Sequence, residues 1–379
     1  MVRVPNELLT EILDRLPVVS LLRFRSVSKL WRHIIDSPLF MEAQLRRSFE
    51  SAANLSLFLM HHSSVYRIDL GSYWYGVDER NHPLMGDCDQ IKVLGSCNGL
   101  LCISNGADNV VIWNPFTRKH KRLPYAPVEI RPAPLPGFSV CVYGFGYDHR
   151  NDDYVLLRLY QLVYEPTESE VSIYSSKENA WKRLQEMPYS LVNHRKRGVF
   201  VHGHLHWVMT QELGDSANLL VAFDFRIENF KVLDQPKHIN NKLDMDVVVL
   251  HGNLCLIIND NHMGVDVLIM KEYGLKGSWT KLFSIPQSEV GRPLGFVQPL
   301  AYSPNGRHVL VAQDSKNLVW YDLESEGIHR VDVDGMPSSF EAEICLRTLA
   351  SVDDYGGITK KKLQELEELE EEEQETLIT

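Results

Sequence analysis

Apolar positions repeat at helical spacing up to about residue 47, and from residue 55 onward they alternate or run in short blocks. Leu8, Leu9, Ile12, Leu13 and Leu16 fall on one side of a first helix. Pro17, which has no amide hydrogen and crowds the preceding turn, ends it. Ser20 is expected to cap a second helix carrying Leu21, Leu22 and Phe24, and Ser28 a third carrying Trp31, Ile34 and Ile35. Ser37-Pro38 reads as a cap followed by proline at the first helical position, opening a fourth helix through Met41 and Leu45. So short a segment cannot enclose this much apolar surface alone. Either it packs on the rest of the chain or it offers an apolar face to a partner.

Beyond residue 55, β-branched and aromatic runs are broken by Gly, Asn, Asp and Pro. Two elements alternate there. One is a tight turn feeding an apolar strand, as at Asn98-Gly99, Asp152-Asp153, His202-Gly203, His251-Gly252 and Asn305-Gly306. The other is strand, polar turn, strand, ending near proline, as in VVIWNPFTRKHKRLP (110–124), VSIYSSKENAWKRLQEMP (171–188) and LLVAFDFRIENFKVLDQP (219–236). The pair recurs about every 50 residues, the period of a four-stranded propeller blade. The count is six blades, at 55–95, 99–147, 153–201, 204–250, 253–300 and 307–352, with five or seven as the alternatives. The first blade rests on LSLFLM, VYRIDL and QIKVLG, and 344–352 reads as an outer strand of the last. Each tight turn is expected to join one blade to the next. The ends should pair, because an open edge strand invites aggregation. The fold class is thus α+β as a whole: a helical module at 1–47, an all-β propeller at 55–352 and an acidic tail at 353–379.

Composition narrows the function. The 379 residues carry a net charge of −11, which argues against nucleic acid as a main partner. The helical module itself has eight Lys/Arg against six Asp/Glu over residues 1–50, not the basic stripe of a helix-turn-helix reader. No apolar stretch reaches the length of a membrane span and no leader precedes the first helix, so a cytoplasmic or nuclear protein without membrane insertion is expected. Six cysteines at 88, 97, 102, 141, 255 and 345 form no Cys-x-x-Cys pair and read as reduced core thiols.

The run Pro5, Leu8, Glu11-Ile12-Leu13, Leu16-Pro17, Leu21-Leu22-Arg23, Val27-Ser28-Lys29 and Trp31 resembles an F-box, with Val4 where the family usually has leucine. That resemblance implies docking on a Skp-type adaptor and, through it, a cullin, with Pro5, Leu8, Ile12, Leu16, Pro17, Leu21, Leu22, Val27 and Trp31 as the adaptor-binding residues. LGSCNGLLCI, VVIWNPFTRKHKRLP and YGFGYDHRNDDYVLLRL resemble the F-box-associated, kelch-like domain of plant F-box proteins, among them receptors tied to turnover of immune receptors. The implied role is substrate recognition in an SCF-type ubiquitin ligase, capturing a protein target, with an immune receptor as the class the resemblance suggests. The rival readings are a kelch-type propeller enzyme or sugar-binding domain, and a scaffold that delivers nothing.

No catalytic constellation, metal site or cofactor is expected. His202, His204 and His206 suggest a metal cluster, but the His-Gly turn is expected to divide them between strands and faces. Asp152-Asp153 occupies a turn slot, where Asp bonds its own backbone. Asn98-Gly99 is a turn with no helix behind it and so no phosphate cradle. Residues 359–379 hold eight Glu and three Lys and read as a solvated acidic tail. The long connections 124–138, 159–170, 188–197, 209–218 and 286–295 are expected on one face, opposite the short turns. Binding usually lives on long loops over a rigid frame. Arg131, Tyr164, His194, Arg195, Lys196, Arg197 and Arg292 are therefore the candidate substrate-binding residues.

Overall fold

Four helices open the chain: α1 Asn6–Asp14, α2 Val18–Phe24, α3 Lys29–Ile35 and α4 Pro38–Glu50. The computed structural model describes residues 5–50, 54–70, 77–86, 90–106, 109–126, 128–129, 139–163, 169–184, 187–191, 197–212, 217–236, 239–260, 262–286 and 295–351. Ser28 caps α3 by accepting from the Trp31 amide at 3.1 Å, and Ser37 does the same for Phe40 at 3.3 Å, ahead of Pro38. Ser20 is not the cap of α2. Pro17 both follows α1 and stands at the N-cap of α2, placing Ser20 inside that helix. Proline suits this place because its missing amide hydrogen would have had no partner there. The apolar stripe of α1 is too wide for one contact. Leu9 and Leu13 are buried, while Leu8 and Ile12 are half exposed.

The strands follow in chain order. β1 Leu55–His61, β2 Ser64–Asp69 and β3 Asp78–Arg80 come first, then β4 Lys92–Cys97, β5 Leu100–Ser104, β6 Val110–Trp113 and β7 His120–Arg122. Next are β8 Ser139–Asp148, β9 Asp153–Leu162, β10 Ser169–Ser175 and β11 Ala180–Arg183, then β12 Ser190–Leu191, β13 Arg197–Val201, β14 His204–Thr210, β15 Asn218–Asp224 and β16 Asn229–Leu233. β17 Asp244–Leu250, β18 Asn253–Asp260, β19 Gly264–Met270 and β20 Trp279–Pro286 precede β21 Val297–Tyr302, β22 His308–Gln313, β23 Asn317–Asp322, β24 Ile328–Arg330 and the final β25 Glu341–Leu346.

Among the described residues these strands make a β-propeller of four separate four-stranded sheets and one nine-stranded sheet, not six separate sheets. The four are β4 to β7, β17 to β20, β21 to β24, and β25-β1-β2-β3. The large sheet runs β11-β10-β9-β8-β13-β14-β15-β16, with β12 on β14. Its halves meet through a short parallel bridge, Arg197 with Tyr143 and Gly198 with Gly144. Glycine makes that bridge possible. A Cβ on Gly198 would stand 2.3 Å from the Trp207 ring, and one on Gly144 2.7 Å from the same ring.

The tight turns do not join sheet to sheet. Asn98-Gly99, His202-Gly203 and His251-Gly252 each have both residues at positive φ, between 49° and 81°. Such two-residue turns connect adjacent antiparallel strands, here the first and second of one sheet. The expected blade boundaries are therefore displaced by one strand, and QIKVLG lies in the β4 sheet instead of the first. The closing strand also moves. β25 pairs with β1 from Leu55↔Leu346 to Met60↔Glu341 and so belongs to the sheet of the first strands, not to the last blade. β25, β4, β8, β13, β17 and β21 lie side by side in that order, and β21 returns to β25. The chain ends pair, as an edge-free ring requires.

Substituting Gly198→Ala should lower stability by about 1–3 kcal/mol and the melting temperature by several degrees, because the Trp207 ring cannot yield as a flexible chain end would. Gly277→Ala, whose added Cβ meets nothing within 4 Å, is the control and should melt with the wild type.

Candidate functional site

First-to-second and third-to-fourth strand connections emerge on one face, and most are short, although the β19–β20 connection spans residues 271–278. The connections 124–138, 159–170, 188–197, 209–218 and 286–295 run from second to third strands or from one sheet to the next, and most of their residues lie outside the described ones. The two-face grouping drawn from the sequence rests on connections that fall largely outside the described residues. The helical module sits on the short-turn face. Phe116, in the β6–β7 turn, packs against its core, and Leu349, just after β25, is part of that core together with Leu9, Leu13, Val18, Leu21, Ile35, Phe40 and Met41.

What the module does not bury is apolar. Leu8, Ile12 and Val27 are 52%, 54% and 58% exposed, and Val19 and Leu39, which the sequence reading did not single out, are also exposed. Pro5 and Pro17 are exposed beside them. Leu16, Leu22 and Trp31 are half-buried against the core, and Trp31 packs edge-on to Phe24 at 5.3 Å. Leu21 is fully buried, so it can support a docking face but cannot touch a partner. Ion pairs Arg47–Asp14 and Arg25–Asp36, both 2.7 Å, brace the helices behind this surface.

Around the axis, the inner strands line a cavity of about 1780 Å³. Of the candidate substrate residues, Arg131, Tyr164, His194, Arg195, Lys196 and Arg292 lie outside the described residues. Arg197 is described, and it is not an exposed loop cation. It begins β13 and points into the cavity, where its guanidinium meets Glu343 at 2.7 Å and Glu341 at 3.5 Å, both on β25. Burial acts against the charge of Arg197, but Glu343, Glu341 and Asp246 hold its pKa above the ordinary value. Burial also pushes the Glu343 carboxyl up, against the pull of Arg197. The pair links inner strands three places apart around the ring, and removing Arg197 would leave the buried Glu343 carboxylate without its counter-charge.

The histidine run also differs from its expectation. His204 and His206 are two apart on β14 and share a face, and all three rings of the run pack on Tyr273, at 4.8, 5.4 and 5.5 Å. His206 Nδ1–H donates to the Val199 carbonyl at 3.3 Å, leaving Nε2 to accept from the Tyr273 hydroxyl at 2.8 Å. Nε2 of His204 meets Lys231 at 2.8 Å and Asp224 at 3.3 Å. These contacts tie two sheets together. Among the described residues no group of three His, Cys, Asp or Glu is placed to hold a metal ion. Asp153 does not serve its own turn: it begins β9 and accepts from Ser176 Oγ at 2.8 Å and the Lys177 amide at 3.0 Å, bracing the β10–β11 turn. No described helix is long and apolar enough to cross a membrane.

The comparisons with known proteins agree with both halves of this arrangement. Residues 1–42 match the F-box domain, and residues 56–348 match the F-box associated beta propeller domain. The chain belongs to the plant F-box proteins that carry an F-box-associated β-propeller. It is 33% identical to F-box protein CPR1 of Arabidopsis thaliana, covering 92% of this chain and 89% of that one. F-box protein At4g22390 of the same plant is 32% identical over 92% and 90% of the two chains. F-box/kelch-repeat protein At3g23880, also of Arabidopsis thaliana, is 28% identical over 92% and 96%. In this F-box protein the exposed leucine, isoleucine and valine side chains thus lie in the segment that the F-box family model matches.

Acid should probe the histidine strut. Burial, foremost, pushes His206 down to about 3, whereas an unfolded histidine titrates near its ordinary 6.5. Between those values the unfolded chain holds the extra proton, so stability falls as pH falls from about 6.5 toward 3. At pH 4.5 this amounts to roughly 2–3 kcal/mol. His206→Gln should flatten the fall in melting temperature between pH 7 and 4.5. An unchanged slope would remove His206 as its source.

Proposed function

We propose that this F-box protein is the substrate-recognition subunit of an SCF-type ubiquitin ligase, in which residues 1–47 dock a Skp-type adaptor, and through it a cullin, while residues 55–352 capture a protein target. The observation that carries this reading is that Leu8, Ile12 and Val27 stay exposed on a module whose packing on the propeller is met by Leu349 and Phe116. An apolar face left open on an otherwise packed module is the mark of a partner site. Family membership supports the same general role.

The finer parts of the proposal have separate supports. Counting the two halves of the nine-stranded sheet as two blades gives six, since only two residue pairs join them. The substrate face is the long-loop face, because the helical module already occupies part of the other. Arg195 and Lys196, with Arg131, Tyr164, His194 and Arg292, remain its candidate residues, and Arg197 is withdrawn because it is committed to Glu343. The resemblance noted in the sequence makes an immune receptor the first target class to test. A cytoplasmic or nuclear setting fits the buried, unpaired Cys97, Cys102, Cys255 and Cys345. The chain would supply proximity and no covalent chemistry of its own, raising the concentration of target lysines near the conjugating enzyme.

Replacing Leu16 and Pro17 together by alanine should cut capture of a purified Skp-type adaptor by about 30-fold or more, the scale of an interface hot spot, with the propeller's circular dichroism unchanged. Undiminished capture would overturn the docking assignment. Charge reversal at Arg195 and Lys196 should leave adaptor capture intact and reduce recovery of the proteins that accumulate when the receptor is removed. Unchanged recovery, combined with loss on mutating the short turns, would move the substrate site to the other face.

A further inference from the structure

The segment 347–351 has no regular secondary structure, yet Thr348, Leu349, Ala350 and Ser351 are all buried. Irregular backbone in that position needs partners for its polar groups. They come from three directions. The Arg347 amide donates to the Asn54 carbonyl at 2.8 Å, and its own carbonyl accepts from Ser48 Oγ of α4 at 3.1 Å. The Arg347 guanidinium donates to Ser56 Oγ at 2.9 Å and pairs with Asp69 at 3.0 Å. Thr348 Oγ1 donates to the Asn98 carbonyl at 2.9 Å, against Gly99, where an added Cβ would meet that same threonine at 2.2 Å.

The third direction is Asn114. Its Nδ2 donates to the Thr348 carbonyl at 3.1 Å and to the Ala350 carbonyl at 2.8 Å. Its Oδ1 accepts from the Phe116 amide at 2.8 Å and the Thr117 amide at 3.1 Å. Both donors and both acceptor sites of one buried amide are thus used. Equivalent turns elsewhere in the propeller do half of this with a carboxylate. Asp224 accepts from the Arg226 amide at 2.9 Å, and Asp322 from the Glu324 and Ser325 amides at 2.9 and 3.1 Å. Aspartate therefore satisfies the turn. What asparagine adds at 114 is the pair of donors that hold 347–351 in place, and that segment carries Leu349 into the helical core while Phe116 packs against it from the turn.

We propose that Asn114, Phe116 and Leu349 form a rigid mount that fixes the helical module to the propeller at the point where the ring closes. The mount sets the orientation of the module's exposed face relative to the long-loop face; its purpose rests on the receptor role above, but its existence does not. It also couples the two ends of the chain. The module reaches its full packing only when β25 has paired with β1, since Leu349 follows β25 by three residues. By linkage, whatever stabilises the module also stabilises ring closure.

The test uses the full chain with Asn114→Asp, Leu349→Asp and Leu349→Met, read by amide hydrogen exchange. Asn114→Asp keeps the turn acceptor and the volume but sets a carboxylate oxygen against two carbonyl oxygens. Exchange in α1 to α4 and in 347–351 should quicken at least tenfold in both aspartate variants, with β8 to β20 unchanged, and Leu349→Met should behave as wild type. Unchanged exchange in α1 to α4 in both aspartate variants would overturn the mount. So would an equal loss of protection through β8 to β20, which would make these residues parts of ring closure alone. In a reconstituted ligase, ubiquitin transfer to a captured protein should fall more than adaptor capture does. Exchange that responds alongside unaltered transfer would leave the mount standing and count against the receptor role.

Discussion

A ring of sheets has no exposed edges only if its first and last strands find each other. Here β1 and β25 pair over six residues, from Leu55↔Leu346 to Met60↔Glu341. The rest of the molecule depends on this closure. The pairing puts residues 347–351 beside α4, and it delivers Leu349 to a helical core that would otherwise lack a wall. It also brings Glu341 and Glu343 to the channel, where Arg197 meets them. The helical module and the propeller are therefore held at one seam, where β25 returns to β1.

Inside the ring, close approach and charge do different work. Gly144 and Gly198 let β8 and β13 come within hydrogen-bonding distance by giving up their side chains to the Trp207 ring. The Arg197–Glu343 pair crosses the channel and links β13 to β25. Such a pair contributes less by its own attraction than by the cost of breaking it, since Glu343 without Arg197 would be a buried charge without a counterion. The His206–Tyr273 contact ties neighbouring sheets near the short turns, with a neutral imidazole whose tautomer is set by the Val199 carbonyl. The result is a braced ring with the helical module packed on its short-turn face.

Family membership and geometry point the same way but at different resolution. The matches over 1–42 and 56–348 establish what kind of chain this is. The structure shows how the pieces are turned: exposed apolar residues are separated from the core residues within a single helix, Leu8 and Ile12 outward, Leu9 and Leu13 inward. That division explains why α1 carries more apolar surface than its packing needs.

Much of this was legible in the sequence because it is local. Helix caps at Ser28 and Ser37, the breaking role of Pro17 and the positive-φ turns at Asn98-Gly99, His202-Gly203 and His251-Gly252 follow from the chemistry of one or a few neighbouring residues. So does the alternation that marks repeated sheets. Wherever long-range partners decide, the sequence was silent or pointed elsewhere. Arg197 looked like one more loop cation because Glu343 lies far along the chain, and Leu21 looked like part of a surface because the residues that cover it come from other helices. The strand after residue 340 could not be assigned to its sheet by pattern, since the pairing of β25 with β1 is a choice between edges that present the same backbone groups. Asn114 lies in the run VVIWNPFTRKHKRLP, whose pattern shows only a strand, a polar turn and a strand. That its amide also reaches the carbonyls of Thr348 and Ala350 depends on ring closure, and no local pattern encodes it. The sequence alone determined the elements and the family, because short-range sterics and hydrogen bonding set them. Tertiary structure decided which side chains face a partner, which are spent on each other, and how the two domains are joined, because those depend on contacts between residues far apart in the chain.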